Sequence, residues 1–364
     1  MRIALIISSL RSGGAERVLS TLANDWNVCG HDIHLITLES TDSDFYQVSK
    51  KIHRHALNLA ASSAGLTSGL IANFQRVTKI RKVCRDLRPN VVLSFMDSTN
   101  ILTGIALIGT SIPLVVSERI DPFKHSIEMG MLRDLIRPYL YRHSANTLVV
   151  QTDAVAKKCA THWKLNNIKT IANPILVNDD ASCHTKEKII LSVGRLHFQK
   201  GHDVLIKAFK KVYADFPEWR LIIYGEGELR NSLECELVAS DLTEVVSLRG
   251  AVKDIFPIYQ AASIFVMPSR FEGFPNALLE ALAMGCACIS TDCESGPREI
   301  LADRRLGILT PVDDVDALAD ALRCLMQNPE LREQFGSHSA YVREHYHLNK
   351  ISRQWLDLFE VVQK

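Results

Sequence analysis

Short apolar runs alternate with amphipathic helical stretches along this chain, and the alternation happens twice. In the first half the runs lie at 2–8, 32–38, 90–95, 113–117, 146–150 and 168–172. In the second they lie at 189–193, 220–224, 245–248, 263–267, 286–290 and 306–309. Helical periodicity fills the gaps, as at 15–28, 71–87, 203–214 and 315–326. Nearly continuous apolar strands separated by helices predict parallel sheets covered on both faces. The fold class is therefore α/β, with two doubly wound domains and a ligand cleft expected where the carboxyl ends of their strands face each other. The first domain is expected over 1–172 and the second over 173–346, with a last amphipathic helix over 347–364.

Charge supports the division. The first 172 residues carry an excess of 8 positive charges, and the remainder an excess of 7 negative ones, within a net charge of +1. Near-neutrality argues against a nucleic-acid binder. At 47% hydrophobic and 23% charged, the chain is not a disordered tail. Nine scattered cysteines imply reduced thiols and a cytoplasmic setting rather than a disulfide framework. The uncharged stretch 98–117 is long enough for a membrane span, but Gly104, Gly109 and Pro113 divide it into helix, turn and buried strand.

Three motifs carry chemistry. Ser12-Gly13-Gly14-Ala15-Glu16-Arg17 joins a strand to a helix, where free N–H groups can seat an anion or simply make a turn. It lacks the G-x-G-x-x-G dinucleotide pattern. Arg195 and Lys200 leave the carboxyl end of the strand at 189–193, and two cations so close suit a diphosphate, a solvated basic loop being the plainer reading. Phe271-Glu272-Gly273-Phe274-Pro275-Asn276 then opens a helix that carries Glu280 and stops at Gly285. With Pro275 at the first helical position, a carboxylate lies on either side of a phosphate seat, an order that matches sugar, diphosphate and ribose. The plainer reading is one capping and one surface carboxylate.

With these residues in place, the sequence resembles the retaining glycosyltransferases of family 4, which have the GT-B fold. The resemblance covers essentially the whole chain and rests on residues 12–17, 194–201, 224–230, 248–250 and the pair Glu272 and Glu280. It implies that Arg195 and Lys200 hold the donor diphosphate. It implies that Glu272 binds donor-sugar hydroxyls, helped by the backbone of Gly273, Phe274, Pro275 and Asn276, and that Glu280 binds the ribose. Gly225, Gly227 and the segment from Arg249 to Val252 would line the nucleoside pocket, and the last helix would return to the first domain.

Within the family, the chain resembles bacterial α-1,4-N-acetylgalactosaminyltransferases that act on undecaprenyl-diphosphate glycans. Ser94, Phe95, Asp97, Thr99, Asn100, Ser117 and Glu118 carry that likeness. Relatives often have His after Ser-Glu, where this chain has Arg119, which cannot act as a base. Gly13, Gly14, Asp97 and Arg119 are thus candidate acceptor-side residues. The expected activity is transfer of a hexose or N-acetylhexosamine from a nucleotide-sugar, UDP-linked by expectation, to a lipid-linked oligosaccharide. No metal or other cofactor is expected. An inactive nucleotide-sugar sensor and a sugar-nucleotide epimerase are the competing readings.

Two further features bear on partners. Arg76, Lys79, Arg81, Lys82, Arg85 and Arg88 share one helical stretch. Lys124, Arg133, Arg137 and Arg142 alternate with Met129, Met131, Leu132, Leu135, Ile136, Tyr139 and Leu140. A basic face beside apolar residues fits either peripheral contact with an anionic membrane or a plain solvated face, and the resemblance implies the former, at the inner membrane. His53-x-His55, His345-Tyr-His347 and the cysteines at 286, 288 and 293 lack a matching second set of ligands. They read as core or surface residues rather than metal sites.

Overall fold

A computed structural model describes residues 1–59, 66–123, 131–175, 185–252, 254–293 and 295–363. Two compact units divide the chain: residues 1–174 with 348–364, and residues 175–347.

The first unit runs β1 (Arg2–Ile7), α1 (Gly14–Val28), β2 (Asp32–Thr37), β3 (His53–Ala56), α2 (Leu66–Leu87), β4 (Val91–Phe95) and α3 (Asp97–Leu107). It continues with β5 (Leu114–Ser117), α4 (Met131–Ser144), β6 (Thr147–Val150), α5 (Asp153–Trp163) and β7 (Ile168–Thr170). Its seven strands are all parallel, in the order β3-β2-β1-β4-β5-β6-β7. Strand residues alternate between two cores, as period-two geometry requires. Ile3, Leu5 and Ile7 pack with Trp26 of α1, while Ala4 and Ile6 pack with Ile80, Ala106 and Tyr141 on the other face.

The second unit runs β8 (Glu187–Val193), α6 (His202–Tyr213), β9 (Arg220–Tyr224), α7 (Arg230–Ala239), β10 (Val246–Leu248), α8 (Phe256–Ala261) and β11 (Ala262–Met267). Then follow α9 (Asn276–Ala283), β12 (Ala287–Thr291), α10 (Pro297–Ile300), β13 (Gly307–Thr310), α11 (Val315–Gln327), α12 (Pro329–Ser337) and α13 (Ser339–His345). Its six strands are parallel in the order β10-β9-β8-β11-β12-β13. Ile190 and Ile264 face one core with Phe209 and Leu322, and Leu191 and Phe265 face the other with Leu279.

The unit boundary falls just after Pro174 because Ile175 pairs with His347 and donates to the Tyr346 carbonyl at 2.9 Å. The last helix, α14 (Leu348–Val362), lies in the first unit, with Ile351, Trp355, Leu358 and Phe359 in the same core as Trp26. Trp26 meets Phe359 edge-on, with centroids 5.3 Å apart.

The twelve sequence-expected strands appear with ends shifted by two residues at most. The stretch 98–117 forms most of α3, a turn at Gly109 with φ +72°, and β5. Among the described residues, no helix is long and apolar enough to cross a membrane. The eight described cysteines are all free, and Cys183 lies outside the described residues.

Candidate active site

In both units the strand order reverses once, between β1 and β4 in the first and between β8 and β11 in the second. Loops leaving neighbouring strands part there and open a crevice at the carboxyl edge of an open α/β sheet. The second-unit motifs sit on this feature: residues 194–201 leave β8, and residues 268–275 leave β11.

The two loops are fastened together. Arg270 donates its backbone N–H to the Gln199 carbonyl at 2.8 Å, and Gln199 Nε2 donates to the Phe271 carbonyl at 2.9 Å. The Arg270 guanidinium pairs with Asp203 at 2.8 Å and Asp313 at 2.7 Å, and stacks 4.0 Å above the Phe198 ring. Gly201 makes this approach possible: its φ is +63°, and a Cβ there would lie 2.1 Å from the Pro268 carbonyl oxygen.

This fastening brings Lys200 to Glu272. Their Nζ and Oε1 atoms are 2.5 Å apart, and Ser269 Oγ donates to the same oxygen at 2.6 Å. Glu272 is 7% exposed, and its carbonyl accepts from Ser295 Oγ at 2.8 Å, so a buried carboxylate is fixed at both ends. Arg195 stands at the exposed side of the loop, its guanidinium 3.5 Å from Gln199 Oε1. His202, buried at the start of α6, has its Nδ1 3.4 Å from Ser192 Oγ. Burial lowers its pKa to about 4, so the ring stays neutral beside Lys200.

Pro275 takes the N-cap of α9 rather than the first helical position expected for it, and no side chain caps the helix. The helix start carries the partial positive charge of its dipole, with the Leu278 N–H turned back to the Pro275 carbonyl at 3.2 Å. At the other end Gly285, with φ +71°, closes the helix as expected. Gly285 donates to Leu282 and Cys286 to Ala281, each at 3.0 Å. Glu280 is 7% exposed, Gly273 is buried, and Phe274 and Asn276 are half-buried.

Gly225 and Gly227 mark where the loop after β9 crosses the loop after β8. A Cβ on Gly225 would lie 1.9 Å from the Gly194 oxygen, and one on Gly227 2.3 Å from the Leu196 oxygen. Arg249 ties its N–H to the Ile223 carbonyl at 2.8 Å and leaves its side chain exposed, as is Val252.

In the first unit, Gly13 is the N-cap of α1, and Glu16 folds back over it, so that a Cβ on Gly13 would meet Glu16 Oε2 at 2.1 Å. Gly14 begins the helix. The anion seat expected there is thus faced by the chain's own carboxylate. Asp97 starts α3 after Met96, which holds φ at +75°, and is 7% exposed.

Arg119 is buried. It donates to Ser117 Oγ at 3.3 Å and to Asn173 Oδ1, and lies 4.5 Å from the Phe95 ring centroid. Burial lowers its pKa to about 9. Next to it, Glu118 accepts from the Tyr141 hydroxyl and lies 3.5 Å from Arg137. Burial outweighs both partners and raises Glu118 to about 7. Asp97, Glu118, Arg119 and Arg137 line one small cavity. Sequence reasoning missed Gln199, Ser269, Ser295 and Tyr141 and placed Arg137 on a basic face instead, because these contacts join residues 3 to 72 positions apart.

Comparison with known proteins gives the class. Residues 12–178 match the family described as Glycosyltransferase Family 4, and residues 179–340 match Glycosyl transferases group 1. The chain belongs to this family of retaining glycosyltransferases and has its GT-B fold. An α-1,4-N-acetyl-D-galactosaminyltransferase of Campylobacter jejuni, named for an undecaprenol-linked glycan substrate, is 27% identical over 100% of this chain and 99% of its own. An uncharacterized glycosyltransferase of Haemophilus influenzae is 28% identical, over 97% of this chain and 98% of its own. Among solved structures, sucrose-phosphate synthase of Thermosynechococcus elongatus superposes with a TM-score of 0.85 at 17% identity, covering 100% of this chain and 99% of that one. Anabaena HepE in complex with UDP-glucose gives 0.82 at 16% identity, covering 99% of this chain and 100% of that one.

Proposed function

We propose that the protein transfers an N-acetylhexosamine or hexose from a UDP-sugar to a polyprenyl-diphosphate-linked glycan at the inner membrane surface. The observation that carries this reading is the Lys200–Glu272 contact of 2.5 Å at the switch point of the second sheet. It sets a cation for the diphosphate beside a carboxylate for the sugar hydroxyls. Arg195 adds a second charge, the N-terminus of α9 adds its partial positive charge, and Glu280 takes the ribose. Gly225, Gly227, Arg249 and Val252 frame the base.

As the donor's C1–O bond to phosphate breaks, negative charge grows on the leaving diphosphate, and these fixed positive groups stabilise it most at that moment. The acceptor oxygen bonds to C1 on the same face, and its proton passes to the departing phosphate. Because the protein supplies the charge, the step needs no metal.

The UDP donor is supported by the UDP-glucose complex of the Anabaena neighbour, and the lipid-linked acceptor by the Campylobacter relative. In the first unit, α2 exposes Leu70, Ile71 and Phe74 ahead of the exposed Lys79, Lys82, Arg85 and Arg88, as a membrane-contacting face would. Leu135, Ile136 and Tyr139 of α4 are exposed too. Arg137 and Leu140, expected on that face, are instead buried, Arg137 because it neutralises Glu118. Lys124 and Met129 lie outside the described residues, and the side chains of Met131, Leu132 and Arg133 are likewise outside them.

A donor panel tests the reading. Free nucleoside diphosphate is measured with UDP-, GDP- and ADP-sugars, with and without a bacterial lipid extract, in the presence of EDTA. UDP release from one sugar, stimulated by lipid, is the expected result. Lys200→Ala should lower kcat/KM by about a hundredfold, or about 3 kcal/mol. Turnover within a few-fold of the parent would remove Lys200 from its role. Binding of a UDP-sugar with no release under any condition would favour the sensor instead.

A further inference from the structure

The edge of the first sheet gathers three histidines and an aspartate that the transferase site does not use. Asp32 and His34 alternate on β2, and His53 and His55 on β3, so all four side chains lie on one face of two adjacent strands. His34 and His53 are direct register partners, and their rings stack with centroids 4.7 Å apart. One ligand atom from each of Asp32, His34 and His53 falls within 4.8 Å of the other two. Asp32 Oδ1 is 3.2 Å from His34 Nε2 and 3.6 Å from His53 Nε2.

His34 points to a ligand in its own right. It is 7% exposed, and although its Nε2 lies close to Asp32, the two are not aligned as a hydrogen bond, which leaves that buried nitrogen unsatisfied. Its other nitrogen, Nδ1, is 3.0 Å from His55 Nε2. With the proton on Nδ1 and donated to His55, the Nε2 lone pair faces Asp32 and His53, the tautomer a metal-ligating histidine needs. Arg2 Nε donates to Asp32 Oδ2 at 2.7 Å, which leaves Oδ1 toward the two rings.

We infer that Asp32, His34 and His53 form a binding site for a borderline divalent transition metal such as Zn²⁺, with His55 and Arg2 orienting its ligands. Two imidazole nitrogens and one carboxylate oxygen, with solvent in the fourth position, is a ligand set such ions accept. Metal–ligand bonds of about 2.0–2.2 Å put tetrahedral ligand atoms about 3.4 Å apart, so the two Asp32 separations already fit and only the two rings, whose ligand atoms lie within 4.8 Å, have to draw closer. The exposed side chain of His53 can supply this by torsion. Asp32 and His53 begin their strands, at the opposite edge of the sheet from Gly13 and Asp97. The ion is therefore structural and clips the edge strand β3 to β2.

The test titrates Co²⁺ and Zn²⁺ alone into the untagged, reduced full-length chain. One equivalent of Co²⁺ should give visible ligand-field bands without the intense near-ultraviolet absorption of thiolate ligation, and Zn²⁺ should displace it and raise Tm. His53→Ala replaces an exposed ring, and Asp32→Asn keeps the carboxylate's shape. Each should weaken binding at least tenfold while the metal-free Tm moves little. Absence of saturable binding, thiolate-type spectra, or unchanged affinity in both variants would overturn the site.

Discussion

Lys200 and Gly201 lead the chain from the candidate diphosphate seat directly into His202, a histidine held neutral by burial with a pKa of about 4. In the unfolded chain the same ring titrates near 6.5. Between those values the unfolded state binds the extra proton, so this residue's contribution to stability is present above pH about 6.5 and is lost as pH falls toward about 4. The full loss is about 3 kcal/mol. Glu118 runs the other way: its folded pKa of about 7 exceeds its ordinary value, so its contribution is present in acid and lost as pH rises through neutrality. Comparing wild type with His202→Gln by chemical denaturation from acid to neutral pH isolates the histidine. The wild type should lose more stability on acidification, and parallel curves would show that the ring is not held neutral. At this scale the sequence marked Arg195, Lys200, Glu272 and Glu280 as candidates, and of these the structure brings Lys200 and Glu272 into contact. The sequence hid Ser269 and Gln199, because an ordinary serine and glutamine acquire a role only when the loop after β11 lies against the loop after β8.

Among the elements, the strands written as apolar runs were legible to within two residues, since burial on both faces leaves a signal with no alternation to misread. β3 was not legible. Its sequence His-Arg-His-Ala is polar because it forms an edge of the sheet, where one side of the backbone ladder and much of each side chain meets solvent. Missing β3 also hid the pairing of His34 with His53, which depends on strand register and not on spacing along the chain. The start of α9 is displaced by one residue from the expected one: Pro275 suits both N-cap and first-turn positions, and the sequence alone does not choose between them. α2 carries its own prediction. Its first turns expose Leu70 at 72% and Phe74 at 70%. Leu70→Glu with Phe74→Glu should reduce sedimentation with anionic vesicles several-fold and leave Tm nearly unchanged. Unchanged vesicle binding would remove α2 from the membrane face.

For the molecule as a whole, α14 decides which residues belong together. Trp355 is 1% exposed, and its ring centroid lies 6.1 Å from that of Phe95 and 6.0 Å from that of Phe359. Ser352 Oγ reaches Asp25 at 2.5 Å. Replacing Trp355 by Ala should cost about 3–5 kcal/mol. In hydrogen exchange the lost protection should fall on β1 and β4 while β8 and β11 keep theirs, and equal loss in both sheets would show that the helix serves both units. The return of the chain also sets an order of events during synthesis. Every residue of the second unit, 175–347, leaves the ribosome before α14 does, whereas the first unit lacks one wall of its core until residues 348–364 emerge. The half of the protein translated first is thus the half whose chain is completed last, and its open face depends on whatever shields apolar surface on a nascent chain until Trp355 arrives.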